Sequence, residues 1–301
     1  MNIISHKYIF IFISSFLVLA SFAAIGIWGL KFGIDFTGGS LLEIEYKDER
    51  PAVNEIRAIL EPLNLGNVLI QPSGDLGVIL RFKHIDESTH QQILGVLGVN
   101  KGVEEGVLIE KRFDTIGPTI GAELMRNSTL ALILAIFLII IYIALVFRHV
   151  SKPVSSWKYG IVAIIALIHD VSIPTGLFAV LGNFKGVEVD TLFITALLTI
   201  LGFSVHDTIV VFDRIRENLQ KLKVDVPYEN TVGVSVRETI TRSINTSFTV
   251  LLVLGAIFFF GGETTKYFSL ALIVGIIAGA YSSIFVAPPL LVIWNNLRKH
   301  H

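Results

Sequence analysis

The chain has 301 residues, 52% of them hydrophobic, and a mean hydropathy of +0.70, which is the composition of a polytopic membrane protein rather than a water-soluble domain. A formal net charge of −1 supplies no basic excess for nucleic acid. The absence of cysteine excludes disulfides, thiolate metal sites and cysteine nucleophiles.

Six apolar stretches approach the ~20 residues that cross a bilayer. They are residues 8–30, 130–147, 160–181, 192–212, 247–262 and 267–294. The first run exceeds the ~7–15 apolar residues of a secretion signal, so it reads as a retained helix. Directly after it comes Gly33-Ile34-Asp35-Phe36-Thr37-Gly38-Gly39-Ser40. Gly-rich loops can cradle phosphate, but this one lacks the Lys-Ser/Thr ending and a following helix. It reads as a turn that launches a strand, with Asp35 and Thr37 capping it.

The segment 31–127 reads as a separate outer domain between the first two spans, leaving 1–30 and 128–301 to the membrane part. Residues 41–46 alternate like a strand. Val53, Ile56, Ile59, Leu60 and Leu63 share one helical face. Residues 68–71 and 78–82 form short apolar strands around a Pro72-Ser73-Gly74 turn, residues 88–97 a second helix and residues 106–113 a last strand. The order βαββαβ predicts a ferredoxin-like α+β domain. With 10 basic and 15 acidic residues, this domain's charge argues against a nucleic-acid role.

Orientation follows from Lys and Arg. Lys7, then Arg148, Lys152 and Lys158, six residues from Arg214 to Arg242, and Arg298 and Lys299 make twelve in one set of short segments, against Lys185 and Lys266 in the other. The excess predicts both termini in the cytoplasm and the domain outside, since segments longer than ~60 residues are exempt from this count.

Two His-Asp pairs interrupt apolar spans: His169-Asp170 in the third and His206-Asp207 in the fourth. A carboxylate at the centre of a span costs roughly 2.5–3.5 kcal/mol on insertion scales, so such residues point to function. Pro174 follows Asp170 by four positions, leaves its carbonyl without a helical donor and predicts a kink. Ser172 and Thr175 extend the polar pocket this would make. The plain alternative is a structural kink around a protonated, hydrogen-bonded aspartic acid. Asp207 lies towards the cytoplasmic end of its span, with Arg214 two turns on. Arg242 stands at the cytoplasmic edge of the fifth span and starts a polar stripe through Asn245, Thr246 and Thr249. A desolvated aspartate and an approaching arginine make a proton-loading pair; a static buried ion pair is the alternative. A metal site is disfavoured, because no HExxH sequence and no third strong ligand accompany the histidines. In the sixth span Ala271, Gly275, Gly279, Ser283 and Ala287 recur every four residues, a stripe that admits another helix closely.

Several segments in order resemble the SecF-type members of the SecD/SecF family of protein-export membrane proteins, within the RND superfamily. They are GIDFTGG at 33–39, IGPTIG at 116–121, AIIALIHD at 163–170, DTIVVFDRIREN at 207–218, RSINTS at 242–247 and the pair Gly261-Gly262. The resemblance implies half of an RND-type transporter, six spans plus one outer domain, with SecD as the other half. It implies a non-enzymatic subunit, without cofactor beyond the proton gradient, in the bacterial inner membrane. Proton-motive force would promote preprotein translocation through the Sec channel SecYEG, with YajC as a further partner. It implies proton coupling at the residues matching Asp207 and Arg242, and it matches Asp170 to the third-span aspartate. His206 departs from the family, which often has asparagine there; a histidine titrates near neutral pH and would share the proton with Asp207. In this reading, protonation of Asp207 weakens its attraction to Arg242, the spans rearrange and the outer domain swings. Two rival readings are a small-molecule exporter half of the same architecture and a structural scaffold subunit.

Overall fold

In the computed structural model, residues 3–66, 68–99, 108–147, 156–221 and 226–299 are described. The chain divides into a helical unit, residues 1–31 and 130–301, and an α/β unit, residues 32–129.

The α/β unit runs α2 (Ile34–Thr37), β1 (Gly39–Tyr46), α3 (Val53–Leu60), β2 (Leu69–Ser73), β3 (Gly77–Phe82), α4 (Glu87–Val99) and β4 (Leu108–Ile116). The sheet order is β2-β3-β1-β4, and every neighbouring pair is antiparallel. That is the ferredoxin-like arrangement the element order predicts. Alternation along β1 buries Leu42, Ile44 and Tyr46 against Ile56 and Leu60 of α3 and Ile93 and Leu97 of α4. A register shift between Glu43 and Ile44 interrupts the β1–β4 ladder. The strand expected at 106–113 is displaced to β4, and its first two residues lie outside the described residues. Pro72 and Ser73 belong to β2 rather than to the turn, which falls at Gly74 with a φ of 59°. Pro72 is tolerated because β2 is an edge strand, where a missing N–H breaks no ladder bond.

The helical unit contains α1 (Lys7–Trp28), most of α5 (Pro118–Val146), α6 (Ser156–Lys185), α7 (Thr191–Lys221), α8 (Tyr228–Phe260), α9 (Glu263–Phe285) and α10 (Ala287–Lys299). Among the described residues, six helical segments are long and apolar enough to cross a membrane. Each contains most or all of one predicted stretch. The boundaries differ where polar sequence continues a helix beyond the apolar run. α8 begins at Tyr228 although its apolar part starts near Ser247, and α7 runs on to Lys221. These extensions lie side by side. Arg214 bonds Glu238 at 2.7 Å and Glu217 at 2.6 Å, while Asn218 donates to Glu238 at 2.7 Å and to Ser235 at 3.0 Å. The sixth span is two helices: α9 stops at Phe285 and α10 restarts at Ala287. Pro288 and Pro289 lack donors, which costs least in a helix's first turn. α6 is unbroken through Pro174.

Close helix packing follows from small residues. A Cβ on Gly176 of α6 would lie 2.5 Å from the Ser21 Cα of α1. One on Gly275 of α9 would clash with the Ile200 side chain of α7. Lys7 and Glu229 pair at 2.8 Å at one end of α1, and at the other Val189 N–H donates to the Lys31 carbonyl at 2.7 Å. Of the basic residues that predict orientation, Arg148, Lys152 and Lys223 lie outside the described residues.

Candidate functional site: a buried carboxyl cluster between four helices

Asp170 on α6 is 0% exposed. Its Oδ1 lies 2.8 Å from His169 Nδ1, and its Oδ2 accepts from Ser282 Oγ of α9 at 2.8 Å and from Ser204 Oγ of α7. Three spans therefore meet at one carboxyl group. The glycine stripe of α9 makes this possible: a Cβ on Gly279 would lie 3.3 Å from Ser204 Cβ and 3.7 Å from Asp170 Oδ2. Ser283 is also buried, but its hydroxyl returns to the Ala280 carbonyl at 3.1 Å. Ser172 and Thr175 do not extend the carboxyl pocket. Their hydroxyls bond the carbonyls of Ile168 and Val171, at 2.5 and 2.7 Å, the common local choice for Ser and Thr inside a helix.

Asp207 is 5% exposed and sits one turn beyond Ser204 on α7. It faces Ser247 of α8 and lies within electrostatic reach of Asp170. Thr208, next in the chain, and Ser243, one turn before Ser247 on α8, are also buried, with hydroxyls that have no hydrogen-bond partner among the described residues. A proton gained at one carboxyl thus changes the field at the other, and several hydroxyls stand ready to reorient.

Among the described residues, the expected attraction between Asp207 and Arg242 is not formed as an ion pair. Arg242 is exposed, as are Asn245, Thr246 and Thr249. The reason is helical phase. The buried face of α8 carries Thr231, Ser235, Thr239, Ser243 and Ser247, every fourth residue, and Arg242 lies about 100° round from Ser243. Arg214 is not Asp207's partner either, since its guanidinium is taken by Glu217 and Glu238. His206 is exposed on α7, whereas His169 is buried. The residues that sequence reasoning missed are Ser204, Ser282 and Ser247. Their only signal was spacing: Ser204 lies three before Asp207, and Ser247 ends the Ser/Thr series of α8.

The loop before β1 launches that strand as expected, and its turn is helical. Gly33 precedes the single helical turn α2, which contains Asp35, and Thr37 Oγ1 bonds back to the Gly33 carbonyl at 3.0 Å. Gly38 and Gly39 have φ of 71° and 131°, angles that favour glycine. A Cβ on Gly38 would lie 2.9 Å from Pro118 Cα, and one on Gly39 would lie 2.8 Å from the Phe82 carbonyl oxygen. The two glycines let β1, the end of β3 and the start of α5 converge.

Comparison with known proteins points the same way for both units. The family described as protein export membrane protein SecD/SecF, C-terminal, matches residues 99–297, and the SecD/SecF GG motif matches residues 23–49. Protein translocase subunit SecF of Thermobaculum terrenum is 41% identical, over 98% of this chain and 94% of that protein. The SecF of Anaerolinea thermophila is 40% identical, again over 98% and 94%. The crystal structure of SecDF, a translocon-associated membrane protein from Thermus thermophilus, superposes with a TM-score of 0.83 at 32% identity over 98% of this chain. The chain spans 39% of that longer protein.

Proposed function

From the premise that the chain belongs to the SecD/SecF family of protein-export membrane proteins, we propose that it is a SecF-type translocase subunit driven by proton-motive force. In this reading it is the six-span half of an RND-type assembly in the bacterial inner membrane. Both termini are cytoplasmic, the α/β unit is periplasmic, and SecD supplies the other half. The assembly promotes preprotein translocation through SecYEG, with YajC as an accessory partner. It is not an enzyme and needs no cofactor beyond the proton gradient.

The observation that supports this most is the pair of interacting carboxyls, Asp170 and Asp207, kept at membrane depth among hydroxyls from α7, α8 and α9. A scaffold gains nothing from two such groups, because apolar residues of similar size would pack there at lower cost. Protons arriving at the cluster change its charge, and the hydroxyls on three helices respond. One charge crossing 100 mV is worth about 2.3 kcal/mol, so a few protons per cycle bias a helix rearrangement. Arg242 and His206 act from the exposed faces of α8 and α7, where a partner's groups complete the circuit. An arginine followed inward by Asn245 on a lipid-facing surface is unfavourable, so this face suits SecD.

The test is Asp207→Asn in cells depleted of the native subunit. Precursor is expected to accumulate while membrane levels of the variant and its partner hold. Normal export would overturn the coupling role and favour the scaffold reading.

A further inference from the structure

We propose that two motifs the carboxyl cluster does not use, GIDFTGG at 33–39 and IGPTIG at 116–121, close on each other as a clasp that makes the α/β unit turn with the second span. The contact is backbone against backbone. A Cβ on Gly121 of α5 would lie 2.9 Å from the Gly38 nitrogen and 3.1 Å from the Phe36 carbonyl oxygen. One on Gly38 would lie 2.9 Å from Pro118 Cα and 3.3 Å from the Ile116 carbonyl oxygen. These separations are well inside the ~3.5–4.0 Å at which non-bonded carbons rest, so each side of the contact needs glycine. No rotamer change relieves such a clash, because the obstructing atoms are main chain.

The clasp is tied into the sheet. Gly38 N–H donates to the Ile34 carbonyl at 2.9 Å and closes the turn of α2, beneath which Phe36 is buried. Gly39 then pairs with Ile116 at the end of the β1–β4 ladder. Beside that pair the Ser40 hydroxyl, fully buried, lies 2.8 Å from the Thr115 hydroxyl and accepts from the Ile85 N–H at 3.2 Å.

The unit has two covalent links to the helical unit, and they differ in kind. In front, α1 ends at Trp28, and residues 29–33 lead to α2 without helix. Gly29 opens that link with a φ of 69° and open space around it. Behind, α5 runs unbroken from Pro118 to Val146. Its first three turns or so, to Thr129, belong to the α/β unit and the rest to the helical unit. Sharp bends in a helix need proline, glycine or an inserted group, and beyond Gly121 α5 has neither proline nor glycine. With its first turn held in the clasp, α5 is the arm of the α/β unit. Tilting the second span turns the unit, whereas the link after α1 absorbs movement of the first span. This holds whatever drives the tilt, so the test reads geometry and not export.

The chain lacks cysteine, so introduced pairs carry spin labels without background when a cysteine-free partner subunit is copurified with the full chain. The pair Ala58→Cys on α3 and Leu134→Cys on α5 places labels at exposed positions on either side of the unit boundary. Pulsed electron resonance is expected to give a single narrow distance peak. Gly121→Ala is expected to lose that peak to a broad distribution. Gly117→Ala, in the same motif but with nothing within 4 Å of the added atom, should keep it. A broad distribution in the chain with both glycines intact overturns the proposal without requiring any glycine variant to fold. An unchanged narrow peak in folded Gly121→Ala protein overturns the clasp. A narrower peak from Ala58 to a label at Leu19 on α1 than to Leu134 makes the first span the arm and overturns the assignment to α5.

Discussion

Ser282 and Ser283 are adjacent, both fully buried, and differ only in what their hydroxyls reach. Ser282 Oγ has Asp170 Oδ2 at 2.8 Å and the Gly279 carbonyl at 3.2 Å, whereas Ser283 has only the Ala280 carbonyl. Ser282 can donate to the carboxylate, or turn to the carbonyl and accept from the protonated acid. Ser282→Ala is therefore expected to lower stability by about 1–3 kcal/mol, the cost of stripping a donor from a buried charged group. Ser283→Ala should cost well under 1 kcal/mol, since its helix already satisfies that carbonyl. Thermal unfolding of the two variants in detergent distinguishes them. At the other end of the polarity range, Asp86 caps α4 through Thr89 N–H at 3.0 Å and the hydroxyls of Thr89 and Ser88. These bonds lower its pKa from 3.8 to about 2. A depressed carboxyl stabilises the fold above its unfolded pKa, so protection of the first-turn amides of α4 should hold down to about pH 4. It should fade as pH falls towards 2, and amide exchange reads the change. Asp86→Ala should weaken this pH dependence, leaving the part that Glu87 contributes through Gln91 and His90. The aspartates of the site were legible in the sequence because a carboxylate inside an apolar run is conspicuous. The serines were not, because Ser is unremarkable in a membrane helix and only the fold brings Ser204 and Ser282 to the same oxygen.

Helices carry the second layer of information. The six spans and the βαββαβ order follow from hydrophobic runs and periodicity, which is why both were readable from the chain. Phase was harder. α8 has two polar stripes one residue apart, and the conspicuous one, through Arg242 and Asn245, is exposed, while the hydroxyl series Thr231 to Ser247 is buried. A charge draws notice, but burial favours the small hydroxyls that a neighbouring helix can approach. The same requirement for closeness governs α1 and α6. Gly176→Ala puts its methyl group 2.5 Å from the Ser21 backbone, which only separation of the helices relieves. Overpacking of this kind costs about 1–3 kcal/mol, so a lower thermal midpoint in detergent is expected. Gly202→Ala, with nothing within 4 Å of the added atom, is the matched control and should leave it unchanged.

On the scale of the whole molecule, the helices fall into two groups. Half or more of the apolar window is buried in α6, α7 and α9–α10, but under a fifth in α1, α5 and α8. The inner group holds the carboxyl cluster, and α8 offers its arginine-bearing face outwards. A half-transporter would expose such a face to its partner subunit. Cysteine at Thr246 or Thr249 is accordingly expected to cross-link to SecD in the membrane, whereas cysteine at Leu134 on α5, an exposed apolar position, serves as the lipid-facing comparison. The central claim is that the buried carboxyls couple proton entry to export, and the most direct measurement is precursor translocation into inverted inner-membrane vesicles at saturating ATP, with and without a proton gradient. The account predicts that the gradient stimulates translocation with the native chain and fails to do so with Asp207→Asn, while the rate driven by ATP alone is the same in both. Equal stimulation in the two vesicle preparations would contradict it.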